Sequence, residues 1–209
     1  MAFPTTLPDL TTNNAVIDGT TKVQAKDINN INTNADAVFA KVGVDGSAVT
    51  TSLDYKTNRQ GVQTVTTTFS SVVSGSTQMV YDNTIPQNTE GAEFMTRAIT
   101  PTSSANILEI EVKFWWSSSS AAIMIGALFQ DSTANAIAAG SDAPYGPARF
   151  AQYYTLKHRM TAGATSSTTF KFRAGQNAAH TMTMNGGTTG GAVLGGVMLS
   201  SIKITEWKV

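Results

Sequence analysis

Residues 107–116 read ILEIEVKFWW. Leu108, Ile110, Val112, Phe114 and Trp116 alternate with Glu109, Glu111, Lys113 and Trp115. A period of two puts the five apolar side chains on one face of a strand and the mostly polar ones on the other. Weaker forms of the same alternation occur at 62–73, 78–81, 93–99, 121–129, 150–159, 168–174, 180–184 and 192–206. Clusters of Ser, Thr, Gly, Asn and Pro separate them, such as NTIPQNTEG, PTSSAN, SDAPYGP and NGGTTGG. Several short strands with no helical period among them predict a mostly β protein. The expected architecture is an antiparallel β-sandwich head over residues 62–209, and a jelly roll is the natural eight-strand solution.

Upstream the pattern changes. Residues 1–21 hold Pro4, Pro8 and many Thr and Asn with no sustained period, which predicts an extended arm that needs a partner surface. In the next segment Ile28, Ile31, Ala35, Val38 and Val42 recur at steps of three and four, although Asn29, Asn30, Asn32 and Asn34 are poor helix formers. Thr21 and Gln24 have capping-box spacing and Gly43 suits the position past a helix end, so a helix is expected over 22–42. Its apolar stripe is confined to an a and d seam, with Ile at both kinds of position in Ile28 and Ile31, a pattern that favours three strands or more over two. The expectation is a short trimeric coiled coil whose formation is left to assembly. Residues 43–61, with Asp45-Gly46 turn chemistry, read as a connector.

Composition narrows function by exclusion. The 209 residues carry zero formal net charge and only 13% are charged, so no basic field exists for nucleic acid or an anionic membrane. Cysteine is absent, which removes disulfides and thiolate chemistry. The opening MAFPTTLPDL lacks the charged and apolar regions of a signal peptide, and no run has the length of a membrane span. A surface of Thr, Ser, Asn, Gly and Ala without an export signal suits a virus particle assembled in the cytoplasm.

No constellation of catalytic residues is apparent. The two histidines, His158 and His180, lack ligand spacing and read as surface or interface groups. Glu109 and Glu111 lie on one strand face with Lys113 and read as its solvated side, while Glu90 and Glu93 flank a turn, so paired-carboxylate glycosidase chemistry has little support. NGGTTGGAVLGG lacks the Gly-Lys-Ser/Thr ending of a phosphate loop, and Gly195 and Gly196 are expected to mark a bulge or a close backbone approach. No GxSxG elbow occurs. No cofactor, metal or catalytic residue is assigned. Aromatic side chains remain as candidate glycan platforms. Trp116 and Phe150 are expected in the core or at a protomer contact, whereas Trp115, on the polar side of its strand, and Tyr145, in a Pro and Gly loop, are the candidate receptor-contact residues.

The runs YDNTIPQNTEGAEFMTRAITPTSSANILEIEV, ALFQDSTANAIAAG, MTAGATSSTTFKFRAG and GGVMLSSIKITEW resemble the C-terminal domain of tailed-bacteriophage and prophage structural proteins. AKVGVDGSAVTTSLDYK resembles the segment that follows a short helix in phage fibre-like proteins. The resemblance implies a trimeric head of jelly-roll or tumour-necrosis-factor-like topology on a slender stalk, with no catalytic residues. The expected function is thus a non-enzymatic homotrimeric fibre or spike on the virion surface. Residues 1–21 would bind other virion proteins of the tail, collar or major capsid, and the head would touch a host-surface glycan or protein. The rival expectation is a capsid decoration or head fibre protein, and a glycan depolymerase comes a distant third.

Overall fold

The computed structural model describes residues 25–42, 53, 61–143 and 150–209. The expected arm (1–21), nearly all of the connector (43–61), the Thr21/Gln24 pair and Tyr145 lie outside the described residues. The chain divides into two units, Met1–Asn58 and Arg59–Val209.

Within the first unit, α1 spans Ala25–Val42 and carries Lys41 in its last turn, where a cation meets the negative end of the helix dipole. The Thr33 hydroxyl donates back to the Asn29 carbonyl at 2.8 Å, the usual way a mid-helix Thr satisfies itself.

Among the described residues the second unit contains ten strands: β1 (Gly61–Phe69), β2 (Val73–Gly75), β3 (Ala92–Ile99), β4 (Ile107–Ser118), β5 (Met124–Gln130), β6 (Ala138–Asp142), β7 (Gln152–Thr161), β8 (Thr168–Gln176), β9 (Met182–Met184) and β10 (Ser200–Trp207). Their antiparallel pairs are nested: β1 with β10, β2 with β9, β3 with β8, β4 with β7 and β5 with β6. The unit is therefore one long two-stranded ribbon, with the β5–β6 hairpin at its tip, wound up on itself. Winding adds the pairs β10–β4, β4–β9 and β5–β8, giving a six-stranded sheet (β1-β10-β4-β9-β2, with β7 on β4) and a four-stranded sheet (β3-β8-β5-β6). This winding is consistent with a jelly roll.

The two sheets enclose one apolar core. From β4 come Leu108, Ile110, Val112, Phe114 and Trp116, from β10 Ile202 and Ile204, and from the facing sheet Met95, Leu128, Phe170 and Phe172. Phe114 lies against Phe94 and Phe172 with ring centroids 5.2 and 5.1 Å apart, in the tilted and edge-on arrangements aromatic pairs favour.

Outside the four-stranded sheet a second, smaller cluster forms. Ile125, Ala127 and Phe129 point outward from β5 and are nonetheless buried, because residues 76–91 cross that face as a strap with Met79 inserted. The Met79 amide donates to the Gln176 carbonyl at 3.0 Å, and Arg173 donates to the carbonyls of Glu90 and Gly91 at 2.9 and 2.6 Å. Residues 78–81, expected as a strand, are part of this strap and make no ladder. Gly175 is where the strap passes closest: a Cβ there would sit 2.7 Å from the Thr77 carbonyl oxygen and 2.8 Å from the Met79 nitrogen.

Other boundaries also move. The segment 62–73 breaks into β1 and β2 at Ser70-Ser71, and 192–206 becomes a 3-10 turn, Leu194–Gly196, followed by β10. Gly195 and Gly196 take φ values of 68° and 79° in that turn, and a Cβ on Gly195 would meet nothing within 4 Å. Left-handed backbone, not a bulge or a close approach, explains this glycine pair. The strand β6 was not expected at all, since AAGSD lacks an apolar alternation.

Where β10 ends, a buried carboxylate ties three segments together. One Glu206 oxygen accepts from the Thr102 amide and hydroxyl, both at 2.8 Å, and from the Asn106 amide at 2.6 Å; the other accepts from Gln63 at 2.6 Å. Burial pushes the Glu206 pKa up, but these donors outweigh it and hold the pKa down at about 2, against an ordinary 4.5. A depressed folded-state pKa supplies stability that is full above pH 4.5 and is lost as pH falls towards 2. In Glu206→Gln that acid-limb dependence should flatten, and stability at neutral pH should fall by about 1.5–3 kcal/mol, the worth of hydrogen bonds to a charged group. Urea titrations across the acid range check both. Gly175→Ala should cost about 1–3 kcal/mol by lifting the strap, with hydrogen exchange at Met79 rising more than at Ile110.

Candidate functional site

The strap leaves the two sheets unequal. On the outer face of the six-stranded sheet, the loop at Gly186 covers only the β4–β9 end, where Ser117 and Thr183 are buried and the Ser117 hydroxyl donates to the Gly186 carbonyl at 2.7 Å. The rest of that face, built from the alternate positions of β1, β10, β7 and β4 up to Trp115, carries exposed and half-buried side chains. Register assembles its chemistry: Glu111 lies opposite Lys203 of β10 on one side and Lys157 of β7 on the other, with Lys113 two residues along the same strand. The Glu111 carboxylate is 3.1 Å from Lys203, 3.2 Å from Lys113 and 3.6 Å from Lys157.

Sequence reading makes Glu111 part of a solvated face, yet it is only 8% exposed, because three lysine stems lie over it. Burial raises its pKa and the hydrogen bonds and charges of Lys203 and Lys113 lower it, with a net lowering.

At the β10–β4–β7 end of this face stands an aromatic pair. Trp115 and Tyr153 are register partners with ring centroids 4.9 Å apart, tilted by 48°. Trp115, a candidate receptor-contact residue, is half-buried against Tyr153, which is itself 45% exposed. Its backbone is fixed on the other edge, where its amide donates to the Ser200 hydroxyl at 3.0 Å and its carbonyl accepts from the Asn185 amide at 3.1 Å. Trp116 is in the core as expected, whereas Phe150 is 79% exposed. His158 is half-buried, between Leu156 and Met160 on the core side of the edge strand β7, and burial lowers its pKa.

On α1, Ile31, Val38 and Val42 are 65%, 58% and 49% exposed in the single chain, and Ala35 is half-buried. The Ile28 side chain lies outside the described residues. Phe39, 52% exposed, stands at the e position next to Val38 and widens the seam at its C-terminal end. Sequence reading passed over Phe39, although a search for a third apolar position per heptad finds it.

No family model matches the chain, and no curated protein matches it. Solved structures give weak likenesses. A tumour-necrosis-factor protein, Eiger of S. frugiperda, is 11% identical, covering 68% of this chain and 92% of that one, with a TM-score of 0.40. The C-terminal domain of EclA, described as a sugar-binding protein, is 13% identical, covering 54% and 72%, with a TM-score of 0.35. The enzymatically active domain of tailspike protein 4 of bacteriophage CBA120 is 14% identical, covering 71% and 21%, with a TM-score of 0.26.

The lysine triad makes a measurable demand. Glu111→Gln leaves Lys113, Lys157 and Lys203 facing one another and should destabilise the unit by about 1–2 kcal/mol at low salt. Thermal unfolding in about 1 M salt, where screening shortens to about 3 Å, should recover most of that loss.

Proposed function

We propose that the chain is a bacteriophage virion structural protein: a non-enzymatic homotrimer anchored to other virion proteins through residues 1–21, with its β-sandwich head presented for attachment to the host surface. On this reading it is assembled in the bacterial cytoplasm and stands on the surface of the particle. The observation that carries it is the α1 seam. Ile31, Val38 and Val42 at a and d positions, with Phe39 beside them, are 49–65% exposed in one chain. An isolated helix of 18 residues rich in Asn is marginal in water, and identical partners burying that seam would stabilise it.

A general acid needs a raised pKa, whereas Glu111 and Glu206 are both shifted down. Three equivalent heads give avidity when their spacing lets them engage together. The phage resemblance of the segments quoted above agrees with this reading.

Sedimentation should give a mass near three times 22.0 kDa for the intact chain. Ile31→Asn combined with Val38→Asn should shift that mass to the monomer, since each variant puts an amide into the seam. A monomeric parent protein, or trimers that survive both substitutions unchanged, would sink the helical assembly. Antibodies to the chain should decorate intact phage particles and block adsorption; decoration without any block would leave a structural protein with no part in attachment.

A further inference from the structure

We propose that the open face of the six-stranded sheet binds an anionic polysaccharide, with Lys113, Lys157 and Lys203 holding a uronic-acid carboxylate while Trp115 and Tyr153 receive an adjacent sugar ring. This rests on the attachment reading and names its ligand class. Two independent features of the face point the same way.

The first is charge. The outward positions of β4, β7 and β10 carry Lys113, Lys157, Arg159 and Lys203 against Glu109 and Glu111, so a neutral chain concentrates two uncompensated positive charges on one sheet face. A single carboxylate, that of Glu111, is shared by three ammonium groups. The lysine side chains remain 40–65% exposed, so the ammonium groups have room to turn towards a second anion without uncovering Glu111.

The second is the aromatic pair. Trp115 follows Lys113 by two residues on the same face of β4, a rise of about 7 Å, which lets neighbouring units of one glycan chain engage the cation and the ring. The tilt of 48° between Trp115 and Tyr153 keeps them from covering each other's faces. Thr155 and Ser201, flanking Lys113 in register, add hydroxyls able to bond those of a sugar. An uncharged glycan would leave the three lysines with the Glu111 carboxylate alone to share. A nucleic acid is a poorer fit, because the excess is two charges and polyanion duplexes reward longer basic tracks.

The full-length protein is passed over immobilised polygalacturonate and alginate, each beside its carboxyl-reduced, uncharged form, at low and high salt. Retention is expected on the acidic polymers, weakening about tenfold or more on the reduced forms and in high salt. Lys157→Gln with Lys203→Gln should lower affinity by a similar factor, and Tyr153→Ala should lower it on a separate variant with the lysines intact. Lys171→Gln, on the other sheet, should change nothing. Circular dichroism confirms that each variant is folded.

Equal retention on acidic and reduced polymers, or retention on neither, overturns the proposal. So does a change in sedimenting mass with no change in retention on Lys157→Gln with Lys203→Gln, which would make this face a contact between copies. Labelling of host cells by the fluorescent protein separates the two levels: cell binding without acidic-polymer binding removes only the ligand class, and absence of cell binding removes the attachment reading itself.

Discussion

Two strands share one edge of β4, and the backbone of Trp115 falls in the gap between them. β10 pairs with β4 up to Lys113 and β9 takes over at Trp116. An amide and a carbonyl left bare there, beside the core, would each cost about 1–3 kcal/mol. Ser200 and Asn185 close the gap. The Ser200 hydroxyl accepts from the Trp115 amide and donates to the Asn185 side chain at 2.8 Å. Asn185, at φ 56°, donates through its side chain to the Phe69 carbonyl at 2.7 Å. Asn tolerates the left-handed conformation better than other residues that bear a Cβ, and its amide both donates and accepts, so one residue joins β1, β4, β9 and β10.

With β4 held along both edges, the remaining architecture follows from how the ribbon winds around it. One sheet is finished by the chain's own strap, with Met79 over Ile125, Ala127 and Phe129. The other is covered only at its β4–β9 end, over Ser117 and Thr183, and elsewhere presents lysines, threonines and an aromatic pair. A sandwich needs apolar side chains only on its inner faces. A strap on one outer face therefore frees the opposite one for surface chemistry.

The sequence made β4 legible because its five inward side chains are large and its outward ones mostly charged. It hid β6 for the opposite reason: Ala138, Ala139 and Gly140 are too small to show a face, and Gly140 is small because the Tyr154 hydroxyl would lie 2.6 Å from a Cβ there. The strap reads as a strand because Met79, Val80 and Tyr81 form a short apolar run with β-prone residues, while the local pattern says nothing about whether hydrogen-bond partners are present on either side. Alternation gives the face of Glu111 but not its exposure, since two of its three lysines come from β7 and β10, and pairing between distant segments cannot be read from either alone. The a and d positions on α1 could be read directly, because a helical period is local.

Nesting also fixes an order of events. β10 comes last of the described strands along the chain, yet it lies between β1 and β4, so during translation both strands wait with an open edge until that segment leaves the ribosome. The hairpin of β5 and β6 closes over the shortest loop and is free to form early, with each outer pair joining later at a greater entropic cost. A nascent unit of this kind withholds its finished sheet until β10 has been made, so a copy cut short before Ser200 is left with the edges of β1 and β4 bare.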